Sequence, residues 1–227
     1  MAVHEDTFGL LGTDGWRTGL HWSTPQAAAQ LAGQLAGSDG VVPNPHLTLP
    51  EINVLVRNPT IIEAVSALIG LDVGIEGAFL MTKAPGVDFP VPWHQDGTSD
   101  PFELDPARSI TLWAALTDAT AESGALRVIP GSHLHGYLPT RYDDPDSEGR
   151  GRPLRTDIPA GSPDPVIVPV AAGEALLMDV RLLHASPSNT SSAPRMGLNV
   201  RYVAPGGVLA HAGHQAPSPH PITGSGW

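Results

Sequence analysis

The spacing of the apolar residues changes once along the chain, close to residue 73. Before that point apolar side chains recur at helical spacing, which predicts one helix over residues 26–35 and a second from residue 58 to Gly70. Thr24-Pro25 and Asn58-Pro59 have the residue types that begin helices, and Gly70 has the type that ends one. We therefore predict a helical part at about residues 24–70.

From residue 73 to about residue 203 the apolar period is two, as in strands with one buried face. The predicted strands lie at residues 74–82, 91–96, 109–117, 125–129, 166–170, 175–180 with a continuation to 184, and 197–203. Turn residues such as Ala84-Pro85-Gly86 and Pro130-Gly131-Ser132 separate them. Many short strands after two helices indicate a mainly β fold, with two sheets in a roll and the helices on one outer face.

Four stretches are predicted to lie outside these elements. Residues 1–22 are irregular, and we expect their Trp16 and Trp22 to pack against the domain. Residues 37–50 form a loop, whereas residues 137–165 are too long and polar for a hairpin and predict a surface insertion, a candidate lid. The tail at residues 205–227 is rich in Gly, Pro, Ser and His, so we expect it to be loosely ordered.

A chain of 227 residues is the right size for one domain with one main core, so we treat residues 1–227 as a single unit. Cysteine is absent, which excludes disulfides, thiolate metal ligands and a thiol nucleophile. Any metal ion must therefore be bound by His, Asp or Glu.

The formal charge is −11 at pH 7, and the eleven Arg and the single Lys form no basic run. This balance argues against nucleic acid as a partner. Residues 1–20 lack a basic segment followed by an apolar one, and no apolar run reaches the length of a membrane span. We therefore expect a cytoplasmic protein without membrane contact, and the sequence leaves its oligomeric state open.

His94 and Asp96 are separated by one residue in a predicted strand. Side chains alternate across an extended chain, so both point the same way and can bind one metal ion. His184 is the candidate third ligand, because it ends a long apolar strand just before a polar turn. Two histidines and one carboxylate form the facial triad of non-haem Fe(II) oxygenases, which leaves coordination positions open.

Arg195 follows at the start of the next predicted strand. If residues 186–194 are the connecting loop, Arg195 lies beside His184 across an antiparallel pair, where its planar fork can bind a carboxylate. A polar face inside a small barrel indicates a ligand cavity. Such a face is formed by Arg195, Gly197, Asn199 and Arg201. A metal ion beside a carboxylate-binding arginine suits a dicarboxylate that chelates the metal at its other end, and 2-oxoglutarate is such a molecule.

Four motifs in this order resemble the phytanoyl-CoA dioxygenase family of Fe(II)/2-oxoglutarate oxygenases over roughly residues 52–203. They are Trp93-His94-Gln95-Asp96, the stretch from Gly124 to His133 containing Ile129-Pro130-Gly131-Ser132, His184-Ala185-Ser186, and Arg195. The resemblance implies a double-stranded β-helix, the cupin-like jelly roll, with iron bound by His94, Asp96 and His184. It further implies that O2 is a co-substrate and that Arg195 binds the distal carboxylate of 2-oxoglutarate. Ser186 and Trp113 are its implied neighbours, Gln95 is implied to lie near the iron, and Thr111 is a candidate because it shares the strand face of Trp113.

Asp96 is informative about the reaction. Halogenating relatives have a small residue in place of this carboxylate, so its presence favours hydroxylation of an aliphatic C–H bond, with 2-oxoglutarate converted to succinate and CO2. We expect the substrate to be a small metabolite and the reaction to belong to natural-product biosynthesis. Desaturation, cyclisation or epimerisation at the same iron site is the alternative, and a metal-binding cupin without redox chemistry, or a binding protein, is the second.

Other chemistry-bearing residues have simpler interpretations. His133 and His135 lie in a turn, where a structural or rim role is favoured over metal ligation. The histidines of the tail, His211, His214 and His220, are expected at the solvated surface. Surface positions are also expected for Lys83, Arg108 and Arg127, with contact to an anionic substrate group as the alternative for each.

Overall fold

The computed structural model describes residues 11–37, 40–99, 101–142 and 155–227. The described elements, in chain order, are β1 (Trp16–His21), α1 (Pro25–Gln34), β2 (Gly40–Pro43), α2 (Pro50–Leu55), α3 (Pro59–Ile69), β3 (Gly74–Lys83), β4 (Val91–His94), β5 (Phe102–Leu104), β6 (Ser109–Ala115), β7 (Leu126–Val128), β8 (Thr140–Arg141), β9 (Arg155–Thr156), β10 (Val166–Val168), β11 (Glu174–Met178), β12 (His184–Ser186), β13 (Arg195–Val203), β14 (Val208–Ala210) and β15 (His220–Pro221). Single 3₁₀ turns lie at Pro45–Leu47 and Ser132–His135.

Both predicted helices are present and begin where their capping residues indicate. The Thr24 hydroxyl accepts a hydrogen bond from the Ala27 amide at 3.2 Å, and the Asn58 side chain accepts one from the Thr60 amide at 3.0 Å. Each cap satisfies a backbone donor that a helix leaves without an internal partner. Gly70 ends α3 at a φ of 96°, a conformation that side chains with a Cβ rarely adopt.

Two antiparallel sheets form the body of the fold. The larger sheet has the order β1-β11-β6-β13-β3-β15, with β2 also paired to β3, and the smaller has the order β10-β7-β12-β4. The helices cover the outer face of the large sheet, where they share one apolar core with residues such as Leu112, Leu198 and Val200. The two sheets enclose a second, smaller core that includes Trp113, Met178 and Val128. The architecture is the predicted jelly roll, mostly β with few helices.

The large sheet is polar over part of its inner face, as the alternation on β13 predicts. Met196, Leu198, Val200 and Tyr202 lie in the core shared with the helices. Their neighbours in the sequence, Arg195, Gly197, Asn199 and Arg201, therefore face the small sheet. A Cβ on Gly197 would overlap the ring of Trp113 on the adjacent strand, so a glycine lets this ring lie flat across β13.

One predicted strand is broken, and this corrects the expected position of Arg195. Asp179 ends the segment after β11, because its side chain accepts a hydrogen bond from the Arg181 amide at 2.8 Å and turns the chain. His184 therefore begins β12 in the small sheet instead of ending a strand of the large one. Arg195 lies opposite Lys83 on β3, and not beside His184, because the loop after β12 crosses from one sheet to the other.

Several segments predicted to be irregular are ordered. β1 pairs with β11, and β2 pairs with β3. The helix α2 begins at Pro50, a residue that fits the first turn of a helix as well as it fits a loop. The tail at residues 205–227 contains two short strands that were not predicted, since β14 pairs with β5 and β15 with β3. Trp22 is buried in the main core and Trp16 packs on the second core, as expected.

The candidate lid is described only at its two ends. There β8 and β9 pair through Thr140 with Thr156 and Arg141 with Arg155. Residues 143–154 lie outside the described residues, so the lid stays a prediction. Among the described residues no single helix has the length and apolarity of a membrane span, although Pro50–Val56 and Pro59–Ile69, bent by 47°, meet that criterion as a pair.

Candidate metal centre

His94, Asp96 and His184 form a single compact cluster. His94 ends β4, and His184 lies directly opposite it on β12. One ligand atom from each of the three side chains lies within 4.8 Å of the other two. Each histidine Nε2 is 3.6 Å from an Asp96 carboxylate oxygen, and the two imidazole rings are 4.2 Å apart between centroids. No other group of this kind occurs among the residues that the structure describes.

Backbone carbonyls orient both imidazole rings. The Nδ1 atom of His94 lies 2.8 Å from the Pro92 carbonyl oxygen, and that of His184 lies 2.9 Å from the Leu182 carbonyl oxygen. A carbonyl oxygen only accepts hydrogen bonds, so we assign the proton of each neutral ring to Nδ1. Both Nε2 lone pairs then face the cluster, as metal ligation requires.

The protonation states suit a metal site. Burial and the neighbouring His94 lower the pKa of His184 to about 4, so this imidazole is neutral at pH 7. Burial alone would raise the pKa of Asp96, but His184, His94 and Arg201 outweigh it and hold that pKa well below its usual range. The cluster therefore offers a neutral imidazole at His184 and a carboxylate at Asp96 without the loss of a proton.

Two side chains of β13 hold the Asp96 carboxylate. Asn199 Nδ2 donates a hydrogen bond to Asp96 Oδ2 at 2.9 Å. Arg201 Nη2 lies 3.7 Å from Asp96 Oδ1, while its Nη1 lies 3.3 Å from Glu76 Oε2. The large sheet thus positions the acidic ligand supplied by the small sheet. Asn199 and Arg201 were predicted only to face the cavity, and no sequence signal indicated Glu76.

Arg195 has unused hydrogen-bond donors on the same face of β13 as Asn199 and Arg201. It is 0% exposed, its guanidinium lies 4.8 Å from the ring of Trp113, and its Nη2 donates to the Gly124 carbonyl oxygen at 2.8 Å. Its Nε and Nη1 are buried without a hydrogen-bond partner among the described residues. Burial lowers the pKa of Arg195 to about 10, which leaves it charged at pH 7. Burial of a cation with unpaired donors costs free energy, and a bound carboxylate would supply both the opposite charge and an acceptor. The site therefore fits a carboxylate ligand.

Two more polar atoms on these strands of the large sheet are also buried without a partner in the described part of the chain. They are Thr111 Oγ1 and Asn199 Oδ1. Thr111 and Trp113 lie on β6, opposite Arg201 and Asn199 of β13, so these groups share one wall. The residues present therefore fit both Fe(II) and 2-oxoglutarate: a facial set of two histidines and a carboxylate, and a buried arginine with unused donors.

The other predicted contacts differ in where the structure places them. The Gln95 amide lies on the other side of the chain from the cluster, where it donates to the carbonyl oxygens of Gly136 and Arg181 and accepts from the Leu138 amide. The structure thus does not bring Gln95 to the metal ligands. Ser186 is buried at the end of β12, and its role toward 2-oxoglutarate stays a prediction.

Lys83 is not a surface residue, which corrects the expectation from sequence. It is buried at the end of β3, and its ammonium donates to three backbone carbonyl oxygens. Arg108 and Arg127 are exposed, as expected. Periodicity could not distinguish the buried Lys83 from the exposed Arg108 and Arg127. Lys83 is the last residue of its strand, so from sequence it could equally belong to the turn that follows.

The loss of the Asn199 amide should weaken metal binding. We expect Asn199→Ala to reduce the affinity for Ni(II) about 10- to 100-fold, because partners that hold a ligand carboxylate have effects of that size. Equilibrium dialysis of the purified variants measures it. Asn53→Ala is the matched control, since Asn53 bonds the His46 carbonyl oxygen outside the cavity. Equal affinities for all three proteins would contradict a role of Asn199 at the metal.

Comparison with known proteins agrees with this geometry. A family model for phytanoyl-CoA dioxygenases (PhyH) matches residues 21–197, a span that includes the three ligands and Arg195. The chain belongs to the PhyH family. The PhyH domain-containing protein 1 homolog of Dictyostelium discoideum is 29% identical over 131 residues, which cover 57% of this chain and 46% of the relative. The chain spans about half the length of the curated relatives it matches.

Solved structures give the same fold. The apo form of ThoJ, a non-heme monooxygenase, superposes with a TM-score of 0.77 at 27% identity and covers 97% of this PhyH chain and 84% of its own. The epimerase SnoN, in a complex with Fe3+, alpha-ketoglutarate and nogalamycin RO, superposes with a TM-score of 0.72 at 20% identity over 97% and 95% of the two chains. At that identity SnoN supports the fold alone. The cofactor and co-substrates expected from sequence, Fe(II), 2-oxoglutarate and O2, are those that suit this family and this donor set.

Proposed function

We propose that this PhyH protein is an Fe(II)- and 2-oxoglutarate-dependent dioxygenase that hydroxylates an aliphatic C–H bond of a small metabolite, with release of succinate and CO2. One observation carries the proposal: the two unused donors of the buried Arg195 lie in the same cavity wall as Asn199, which contacts the metal-ligand cluster. A metal site alone would not need them. A natural-product substrate and a cytoplasmic location remain predictions.

The side chains have separate tasks in this reaction. When bound, Fe(II) with 2-oxoglutarate activates O2 for the oxidation of a C–H bond. His94, Asp96 and His184 supply the three ligands, and Asn199 and Arg201 keep the carboxylate in its orientation. Arg195 binds the distal carboxylate of 2-oxoglutarate over the face of Trp113. Burial of the ligands keeps bulk water from competing for the open coordination positions.

Epimerisation, cyclisation or desaturation is the second candidate, because substrate placement decides the outcome at such a site. A cupin without redox chemistry, or a binding protein, is the third candidate. This third candidate gives the unused donors of Arg195 no carboxylate to bind, and we therefore place it last.

The proposed function is tested by aerobic incubation with Fe(II), 2-oxoglutarate and a panel of small metabolites. Succinate formation identifies substrates, and mass spectrometry identifies the products. We expect stimulated succinate formation and a product with one additional oxygen atom. A product of unchanged mass would favour epimerisation, and a product that has lost two hydrogen atoms would favour desaturation or cyclisation. Absence of succinate under all conditions, including without substrate, would support the third candidate.

A further inference from the structure

Lys83 is a fully buried lysine whose ammonium is saturated. It is 0% exposed, and its Nζ lies 2.8 Å from the Phe89 carbonyl oxygen, 3.0 Å from that of Ser186 and 2.7 Å from that of Pro187. Three acceptors use all three N–H groups of an ammonium. Lys83 therefore has no donor left for a ligand, in contrast to Arg195, and any effect on the cavity must act through the backbone that it holds.

The carbonyl groups bonded to Lys83 belong to the segments that carry the two histidines. Phe89 lies in the connection that leads into β4 and its His94, while Ser186 and Pro187 end and follow β12, which begins with His184. Lys83 itself ends β3 of the large sheet and lies opposite Arg195. Its side chain thus joins the end of the large sheet that carries Arg195 to the small sheet that carries the metal ligands.

Among the described residues, no carboxylate contributes to the pKa of Lys83. Burial together with Arg195 lowers that pKa to about 7. The three short contacts oppose this effect, because a neutral amine has only two N–H groups to donate. We therefore treat Lys83 as an ammonium whose charge is balanced by carbonyl dipoles.

Gly124 connects Lys83 with Arg195 a second time. The Gly124 carbonyl oxygen accepts the hydrogen bond of Arg195, and a Cβ on Gly124 would lie 3.4 Å from Cδ of Lys83. The stem of Lys83 thus packs against the turn that orients the guanidinium. Displacement of this stem would move Arg195 relative to the metal ligands.

We propose that Lys83 is a positioning residue that sets the separation between the metal ligands on the small sheet and Arg195 on the large sheet. The inference rests on the proposed function, in which 2-oxoglutarate spans the two sheets. The two histidines are direct cross-strand partners in the small sheet, and Asn199, which holds Asp96, lies farther along β13 than the Arg195 that pairs with Lys83. Loss of the Lys83 ammonium should therefore weaken the binding of 2-oxoglutarate more than the binding of the metal ion.

The test separates these two affinities in Lys83→Met, which keeps the apolar stem and removes the ammonium. We expect the Ni(II) affinity to stay within about twofold of wild type and the affinity for 2-oxoglutarate, measured with Ni(II) bound, to fall about 10-fold or more. Isothermal titration calorimetry measures both in the absence of turnover. Lys83→Gln, whose amide has two N–H groups, should give an intermediate loss and serves if Lys83→Met does not fold.

Asn58→Ala is the control for a loss of stability alone, since it removes the N-cap of α3 on the outer side of the large sheet and so destabilises the fold. We expect it to leave both affinities unchanged. Two results would overturn the positioning role: wild-type affinity for 2-oxoglutarate in folded Lys83 variants, or a fall in Ni(II) affinity as large as that for 2-oxoglutarate. If wild type itself fails to bind 2-oxoglutarate, the proposed function is refuted instead.

Discussion

Replacement of Asp96 by glycine should reduce succinate formation more than about 100-fold, because the loss of a ligand exceeds the effect of losing a partner that only orients one. Asp96 lies 3.6 Å from both histidine Nε2 atoms and is the acidic member of the cluster. Its removal leaves two imidazoles, which hold a divalent ion weakly. Succinate release under saturating Fe(II) and 2-oxoglutarate measures the effect.

The control for this prediction is Asp164→Gly, which changes an exposed carboxylate between β9 and β10. We expect wild-type succinate formation from it. A wild-type rate in Asp96→Gly would mean that the carboxylate is not a metal ligand, and the facial triad would have to be abandoned.

Replacement of Arg195 by methionine should weaken 2-oxoglutarate binding about 100-fold. The unused donors on Nε and Nη1 face different sides of the guanidinium, and either one can form a charge-assisted hydrogen bond with a carboxylate. Loss of a hydrogen bond between charged groups costs up to about 3 kcal/mol, or about two orders of magnitude in Kd. Calorimetric titration of the Ni(II)-bound protein with 2-oxoglutarate measures this change.

Two controls make the Arg195 result specific. Arg108→Met removes an exposed arginine that bonds the Pro205 carbonyl oxygen, and it should bind 2-oxoglutarate like wild type. The Ni(II) affinity of Arg195→Met should also be unchanged, because Arg195 touches none of the three metal ligands. Retention of wild-type 2-oxoglutarate affinity in Arg195→Met would show that the co-substrate does not use this arginine.

The local elements of the fold were predictable, because their signals are local. Caps such as Asn58 and the period-two pattern of β3, β6 and β13 predict α1, α3 and these three strands correctly. The elements missed are short and depend on partners: β2 forms only by pairing with β3, and β14 and β15 are ordered by pairing with β5 and β3. Sequence periodicity contains no information on such pairing.

The residues of the candidate site were predictable for the same reason. The prediction failed where contacts between distant parts of the chain determine the position of a residue. The spacing of His94 and Asp96 is a local feature of the sequence, with Asp96 two residues beyond the end of β4, and the polar face of β13 was visible from its alternation. The crossing of the chain between sheets after His184 was not visible, so Arg195 was placed beside the wrong strand. The burial of Lys83 follows from carbonyl groups more than 100 residues away in the chain, at Ser186 and Pro187.

Joint binding of Fe(II) and 2-oxoglutarate in one site is the central requirement of the proposed function. The visible absorption of the anaerobic protein with both added tests it directly, since chelation of Fe(II) by 2-oxoglutarate gives a weak charge-transfer band. We expect the band in wild type and its loss in His184→Ala and, at limiting 2-oxoglutarate, in Arg195→Ala. Absence of the band from wild type, or an unchanged band in both variants, would contradict the account.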